Sequence, residues 1–288
     1  MLLQMRSGDS PFLYYRKYRK VKDMAKIGFI GMGNMGYAMM CGALKVFPKE
    51  EILFTDVNES RIKQVHQLTG VSYALSNAEC ANSVKYLVLA IKPQFYDVVM
   101  RNIKNIVRQE HVIISIAPGI SVGKVKEYLG SHVRVVRAMP NTPALLGEGM
   151  TGITYTKEEF SYEEKDSIEK FFRSFGKVKF VEERLMNAVT CISGSSPAYV
   201  YMFIEALADS GVKYGLTREA AYEMAAQTVA GAAKMVLETK EHPGKLKDNV
   251  CSPGGTTIAA VSALEEYGFR NAIIKATDAC YETSKKFT

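Results

Sequence analysis

Six residues, Gly31-Met32-Gly33-Asn34-Met35-Gly36, limit what this chain can fold into more than any other stretch. They follow a short apolar run, Lys26-Ile27-Gly28-Phe29-Ile30, and open a helix-length segment, residues 35–46. In that setting G-x-G-x-x-G meets three backbone needs. Gly31 permits a tight turn, Gly33 lets a pyrophosphate approach the main chain, and Gly36 lets the helix pack close to the strand. The helix start adds free N–H groups and a partial positive charge for the anion. Residues Ile30, Gly31, Met32, Gly33, Asn34, Met35 and Gly36 are therefore expected to hold a dinucleotide. A tight turn with no ligand would explain the glycines alone, but not the series of strands that follows.

That series is regular. Ile52-Leu53-Phe54-Thr55, Tyr86-Leu87-Val88-Leu89-Ala90 and Val112-Ile113-Ile114-Ser115-Ile116 are short and apolar, as suits parallel strands covered on both faces. Val133-Arg134-Val135-Val136-Arg137 alternates and reads as lying nearer the sheet edge. Helix-length segments at 35–46, 59–69 and 95–108 separate the runs, so the class is α/β with a parallel sheet. A further strand pair is expected at 151–155 and 178–181. The helix between them should start at Ser161, which forms a capping box with Glu164. Near residue 182 the strand pattern stops. Segments 198–213, 217–238, 246–250 and 257–285 read as helices, and 198–213 is apolar on most faces, so it must be covered by other helices or a second subunit. The expected organisation is a dinucleotide-binding domain of Rossmann type over 24–182 and an all-α dimerisation and substrate domain over 183–288.

Residues 1–23 stand apart. They hold Arg6, Arg16, Lys17, Arg19, Lys20 and Lys22 against Asp9 and Asp23, so this segment carries four of the seven net positive charges. Met24 reads like a second start, and the segment reads as an added leader. The rest is close to neutral, which argues against a nucleic-acid-binding body. Hydrophobic residues make up 47% of the 288, enough to exclude disorder for the bulk of the chain. No run approaches the roughly 18 consecutive apolar residues of a membrane span. The five cysteines are an odd number with no C-x-x-C pair, which reads as a reducing, cytoplasmic setting. The four histidines show no ligand spacing, and no metal site is assigned.

In an open α/β sheet the ligand lies at the carboxyl ends of the strands. Asp56, at the end of the second strand, is placed to accept from the ribose hydroxyls and to repel a 2′-phosphate, which leans toward NADH. Arg61 close by softens that preference, and a helix-cap role for Asp56 with Asn58 can hold together with it, so NADH and NADPH both stay open. Ala90-Ile91-Lys92-Pro93 and Ile116-Ala117-Pro118-Gly119 are strand ends running into proline turns, and are candidate walls for ribose and nicotinamide. Lys92 is a candidate phosphate or ribose contact.

Two glycine-rich segments of the helical part, Ser193-Gly194-Ser195-Ser196-Pro197-Ala198-Tyr199 and Ser252-Pro253-Gly254-Gly255-Thr256-Thr257, both read as helix starts able to bind a carboxylate. Ordinary capping explains their hydroxyls as well. A ketone reductase needs a positioned acid for the developing alkoxide. A protonated imine already carries the charge that hydride neutralises, so a threonine hydroxyl and main-chain N–H groups suffice.

From about residue 26 to 285 the chain resembles the pyrroline-5-carboxylate reductases. The resemblance rests on Ile27 to Gly36, Ala90-Ile91-Lys92-Pro93-Gln94, Met139-Pro140-Asn141-Thr142-Pro143, Ser193 to Tyr199 and, most specifically, His242-Pro243-Gly244 through Leu246-Lys247-Asp248-Asn249-Val250 to Thr257. It implies hydride transfer from NADPH or NADH to the imine carbon of 1-pyrroline-5-carboxylate, giving L-proline. It implies cofactor contacts at Ile30 to Met35, Ala90 to Pro93 and Ile116 to Pro118 (Ile116, Ala117, Pro118). Asn77 would lie near the adenine ribose and Asn249 near the nicotinamide. Thr257 would hydrogen-bond the imine nitrogen, Thr256 would give a main-chain contact to the carboxylate beside Ser252 and Gly255, and Glu183 would be an acid near the substrate. It also implies homodimers, stacked in some members into larger rings. Two positions depart from the pattern. Ser196 replaces a common glycine, and Asp56 stands where many members carry residues suited to a 2′-phosphate.

Other readings are a β-hydroxyacid dehydrogenase and a non-catalytic dinucleotide-binding protein. The first uses a lysine as acid on the helix after Gly194, where this chain has none from Ala198 to Ile204. The second has no need of the Gly-Gly-Thr-Thr loop.

Overall fold

The computed structural model describes residues 25–286; the basic segment 1–23 lies outside the described residues. The chain divides into two compact units after Glu183.

The first unit is one sheet of eight strands, in the order β3-β2-β1-β4-β5-β6-β7-β8. The strands are β1 Ala25–Ile30, β2 Ile52–Thr55, β3 Ser72–Tyr73, β4 Val84–Leu89, β5 Val112–Ser115, β6 Arg134–Met139, β7 Gly149–Thr154 and β8 Gly176–Phe180. Neighbours run parallel except β6 and β7. The helices between strands are α1 Asn34–Ala43, α2 Glu59–Thr69, α3 Asn77–Asn82, α4 Tyr96–Ile103, α5 Val122–Leu129 and α6 Tyr162–Arg173. Both faces of the sheet are covered, and the alternation along each strand shows it. Val88 and Ile114 join a core with Phe29, Met39, Phe171, Phe172 and Phe175, while Leu87, Leu89 and Ile113 join a second with Tyr96, Met100 and Leu129.

The alternating run at 133–137 is not near an edge, as its pattern suggests. As β6 it lies between β5 and β7. Arg134 tolerates this through its pairing with Glu164 at 2.7 Å, while Arg137 meets Glu183 at 3.3 Å.

The capping box of α6 is present: Ser161 Oγ accepts from the Glu164 N–H, and Glu164 Oε2 accepts from the Ser161 N–H at 3.1 Å. Glu164 does more than cap. Its carboxylate, with a side chain 10% exposed, also meets Lys85 Nζ at 2.8 Å and both its oxygens accept from Arg134. Burial alone would push this carboxyl up; the bonds from Lys85, Arg134 and the Ser161 N–H outweigh it and hold it down at about 2. The pKa is depressed on folding, so the pairing stabilises fully above the ordinary 4.5 and is lost as pH falls through about 2. It is worth roughly 3 kcal/mol at neutral pH. Glu164→Gln should therefore lower unfolding free energy by about 2–3 kcal/mol at pH 7, with the gap roughly halved at pH 3. Denaturant titrations of both proteins test this; a gap unchanged between those pH values would rule the account out.

The second unit is all helix: α7 Met186–Val189, a π-turn over Thr190–Gly194, α8 Pro197–Lys213, α9 Arg218–Thr239, α10 Pro243–Val250, α11 Thr256–Glu266 and α12 Phe269–Lys285. The segment expected as one helix over 257–285 is broken at Tyr267-Gly268, where Gly268 takes φ +71°. That left-handed residue ends α11 and turns the chain into α12.

Candidate active site

The dinucleotide turn has the geometry its glycines require. Gly31 sits at φ +98° and donates its N–H to Thr55 O at 2.9 Å, which ties the turn to β2. A Cβ on Gly31 would lie 2.5 Å from Ala90 O, and one on Gly36 would lie 2.2 Å from Gly31 O. A Cβ on Gly33 would meet nothing within 4 Å. So two of the glycines are forced by protein contacts, and the third faces open space. Helix α1 starts at Gly33 with no side-chain cap. Open space above uncapped N–H groups fits a pyrophosphate.

Asp56 leaves the end of β2 and turns back to this loop. Its Oδ2 accepts from Met32 N–H at 2.6 Å and its Oδ1 from Asn58 N–H at 2.9 Å. The cap of α2 is Asn58, which accepts from the Ser60 and Arg61 N–H groups. Arg61 Nε donates to Met32 O at 2.7 Å, its Nη1 to Gln64 Oε1 at 2.7 Å, and its guanidinium lies over the Tyr37 ring. Loop, carboxylate and guanidinium thus form one connected set, 24 to 29 residues apart in sequence. Asn77 opens α3 directly after its cap, Ser76, and is half-buried.

At the next strand ends, the Ala90 N–H donates to Ile30 O, so Ala90 continues β4 alongside the glycine turn. Ile91 and Pro93 are half-buried and Lys92 is exposed. After β5, Ile116 and Ala117 are buried and Pro118 half-buried, and Gly119 turns the chain at φ +76°. Ser121 then caps α5, accepting from the Lys124 N–H at 3.0 Å. These positions share the carboxyl edge of the sheet with the glycine turn.

Two residues that sequence reasoning passed over lie here. Tyr96, fully buried, brings its hydroxyl to 3.0 Å from Ser115 Oγ and 3.2 Å from Leu89 O, and burial pushes it up to about 12. Arg137 is 3% exposed and binds Glu183, the last residue of this unit. An arginine inside a strand flanked by apolar runs was the available signal.

In the second unit the two glycine-rich segments differ. Ser193 to Tyr199 is not a free helix start. The chain is already helical from Met186, and the Ser195, Ala198 and Val200 N–H groups donate to Thr190 O, Ser195 O and Ser196 O. The hydroxyls of Ser193 and Ser196 turn back onto Val189 O and Ile192 O. Its donors are spent on a kink between α7 and α8, to which Cys280 Sγ of α12 is tied through Ser195 Oγ at 3.3 Å.

The start of α11 is open by contrast. Its N-cap is Gly255, with no side-chain cap. Gly254 takes φ +68°, and the Gly255 N–H donates to Ser252 O at 3.0 Å, folding the loop over itself. A Cβ on Gly255 would lie 2.3 Å from Ser252 Oγ and 3.1 Å from Ser252 O, so a side chain there would have to turn the serine hydroxyl away. Thr256 and Thr257 form the first turn, Thr256 exposed and Thr257 half-buried; Ser252 and Asn249, the latter on α10, are exposed. N–H groups, two hydroxyls and the helix dipole suit a small carboxylate.

The helices of this unit leave large apolar side chains uncovered. Met202 is 70% exposed, Tyr201 59%, Met224 58% and Ile274 57%, the signature of a surface meant to be covered.

A Gly-rich βα turn on a mostly parallel sheet, followed by an all-helical unit with an uncapped, glycine-rich helix start, points to a nicotinamide-dinucleotide-dependent oxidoreductase. Residues 26–119 match a family model described as NADP oxidoreductase coenzyme F420-dependent, and residues 183–287 match one described as pyrroline-5-carboxylate reductase dimerisation. The pyrroline-5-carboxylate reductase of Escherichia coli strain K12 is 43% identical over 266 residues, covering 91% of this chain and 98% of that protein. That of Pisum sativum is 37% identical over 93% of this chain and 98% of its own length. The crystal structure of Plasmodium falciparum pyrroline carboxylate reductase, with NADP bound, superposes with a TM-score of 0.83 at 35% identity, covering 92% of this chain and 98% of that one. The chain belongs to the pyrroline-5-carboxylate reductase family.

Proposed function

We propose that this protein reduces 1-pyrroline-5-carboxylate to L-proline with NADPH or NADH. The observation that carries the reading is the uncapped start of α11, with Thr257 in its first turn. When bound, the reduced nicotinamide supplies a hydride to the imine carbon. The first unit holds it: the α1 N-terminus takes the pyrophosphate over Gly33, Asn77 and Asp56 serve the adenosine end, Ala90 to Pro93 the ribose, and Ile116, Ala117 and Pro118 the nicotinamide, to which the family resemblance adds Asn249. In the second unit the main-chain N–H groups at Gly255 and Thr256, with Ser252, hold the carboxylate. The Thr257 hydroxyl hydrogen-bonds the ring nitrogen, orienting the ring while the C=N bond becomes C–N. Glu183 is the acid that lines the substrate side. The working form is a homodimer through the helical unit, stacking into larger rings, in the cytoplasm.

The test is oxidation of NADH and NADPH by the purified protein with 1-pyrroline-5-carboxylate, followed by absorbance, beside a 3-hydroxy acid in the oxidative direction. Imine-dependent oxidation is expected. Turnover of the hydroxy acid with silence on the imine would overturn the reading.

Cofactor choice has its own test. Both Asp56 oxygens already hold main-chain N–H groups, each such charge-assisted bond being worth roughly 1.5–3 kcal/mol. Asp56→Ser should therefore loosen the loop and raise the Kd of both dinucleotides about tenfold or more. Arg61→Ala should weaken NADPH more than NADH. A gain confined to NADPH in Asp56→Ser would instead make Asp56 the residue that repels the 2′-phosphate.

A further inference from the structure

We infer that Arg137 is a positioning residue for the reduction, acting through Glu183 on the turn that joins β5 to α5. The inference rests on the reading that this turn, Ile116 to Pro118, lines the nicotinamide.

Arg137 lies on β6 opposite Ser115, the last residue of β5, and opposite Thr154 of β7. It is thus level with the point where the chain leaves β5 for the turn. Its side chain is 3% exposed, and burying a cation costs several kcal/mol unless it is well paired. Yet the pairing is thin. Nη1 donates to Glu183 Oε1 at 3.3 Å, while Nε and Nη2 are buried with no hydrogen-bond partner. Arg134, on the same strand, shows what a structural arginine looks like: Nη1 on both oxygens of Glu164, Nη2 on Glu110 O and Nε on Gln109 O. Each unpaired buried donor works against the fold by about 1–3 kcal/mol. Arg137 is therefore poorly explained by stability, and its hold on Glu183 is what it accomplishes.

Glu183 Oε1 has a second donor, the main-chain N–H of Val122 at 2.7 Å, the first residue of α5. One oxygen thereby joins the buried guanidinium to the far end of the turn. The near end is fixed separately, by Ser115 Oγ on the Tyr96 hydroxyl. Between the two anchors lie Pro118 and Gly119, the latter at φ +76°. Glu183 is 40% exposed, and without its buried partner only the Val122 N–H would hold its carboxylate against solvent. Arg137 fixes the carboxylate, and the carboxylate fixes where the turn ends.

The experiment is a double-mutant cycle on the full chain: wild type, Arg137→Gln, Glu183→Gln and Arg137→Gln/Glu183→Gln, with Arg137→Lys as the conservative variant. Each single change should lower kcat/KM for 1-pyrroline-5-carboxylate by ~30- to 100-fold, the scale of a displacement of about 1 Å beside the reacting atoms. The double variant should lie within about threefold of the worse single one, because both act through one contact. Arg137→Lys should recover about tenfold over Arg137→Gln, and the Kd of NADPH should shift less than threefold. Losses that multiply in the double variant, or melting temperatures that fall while kcat/KM holds, would overturn the inference. If Arg137→Gln does not fold, Arg137→Lys replaces it in the cycle under the same criterion. A wild type silent on the imine would sink the reductase reading instead, while the coupling of Arg137 to Glu183 is still read from the four melting temperatures.

Discussion

Gly36→Ala should remove tight dinucleotide binding. The added methyl carbon would sit 2.2 Å from Gly31 O and 3.1 Å from Ala90 Cβ. Neither can yield, because Gly31 is tied to Thr55 O and itself abuts the Ala90 carbonyl. The start of α1 must therefore move away from β1, taking its N–H groups off the phosphates. Overpacking of this kind costs about 1–3 kcal/mol in stability. Loss of the anion site should raise the Kd of NADPH at least ~100-fold, near 3 kcal/mol. The chain has no tryptophan, so the titration follows the fluorescence of the nicotinamide itself. Gly33→Ala separates the two effects. Its Cβ meets no protein atom, so melting should be unchanged while affinity falls, since the methyl occupies the space left for the ligand. Equal affinity of Gly33→Ala and wild type would mean that the phosphate does not approach there.

Thr257→Ala should lower kcat by about 100-fold, the usual scale for a positioned proton-transferring or hydrogen-bonding group. The position is the second residue of α11, where alanine is a better helix former, so the helix does not suffer. Dinucleotide Kd should stay within twofold, because the glycine turn belongs to the other unit. Thr257→Ser should keep most of the rate and Thr257→Val should behave like alanine, since the hydroxyl rather than the shape is at issue. Turnover unaffected in Thr257→Ala would remove it from the chemistry.

The parts legible in the sequence were those set by local backbone demands. The glycine turn, the apolar runs of β2, β4 and β5, and the Ser161–Glu164 capping box each state their conformation within a few residues. What was misread depended on partners far along the chain. Alternation in β6 looks like an edge until Glu164 and Glu183, 30 and 46 residues on, neutralise its arginines. Asp56 has a second task that depends on the glycine turn 24 residues before it, accepting from the Met32 N–H as well as from Asn58. Ser193 to Tyr199 looks like a helix start because the π-turn before it leaves no composition signal. In the start of α11 the local signal was also legible, since Gly254 takes φ +68° and Gly255 leaves little room beside Ser252.

The helical unit has almost nothing inside it. Among its described residues only Met186, Thr190, Cys191, Ala208, Ala221, Ala225 and Ser284 are buried, and none of them is larger than a methionine. In the proposed homodimer a second copy covers these apolar helices, and the unit is expected to draw part of its stability from that cover. Its melting temperature is then expected to climb with protein concentration, and a value independent of concentration would count against the homodimer. In such a homodimer a scarce protein is expected to be a less stable one, and a weakened subunit to pass its defect to the intact subunit it pairs with.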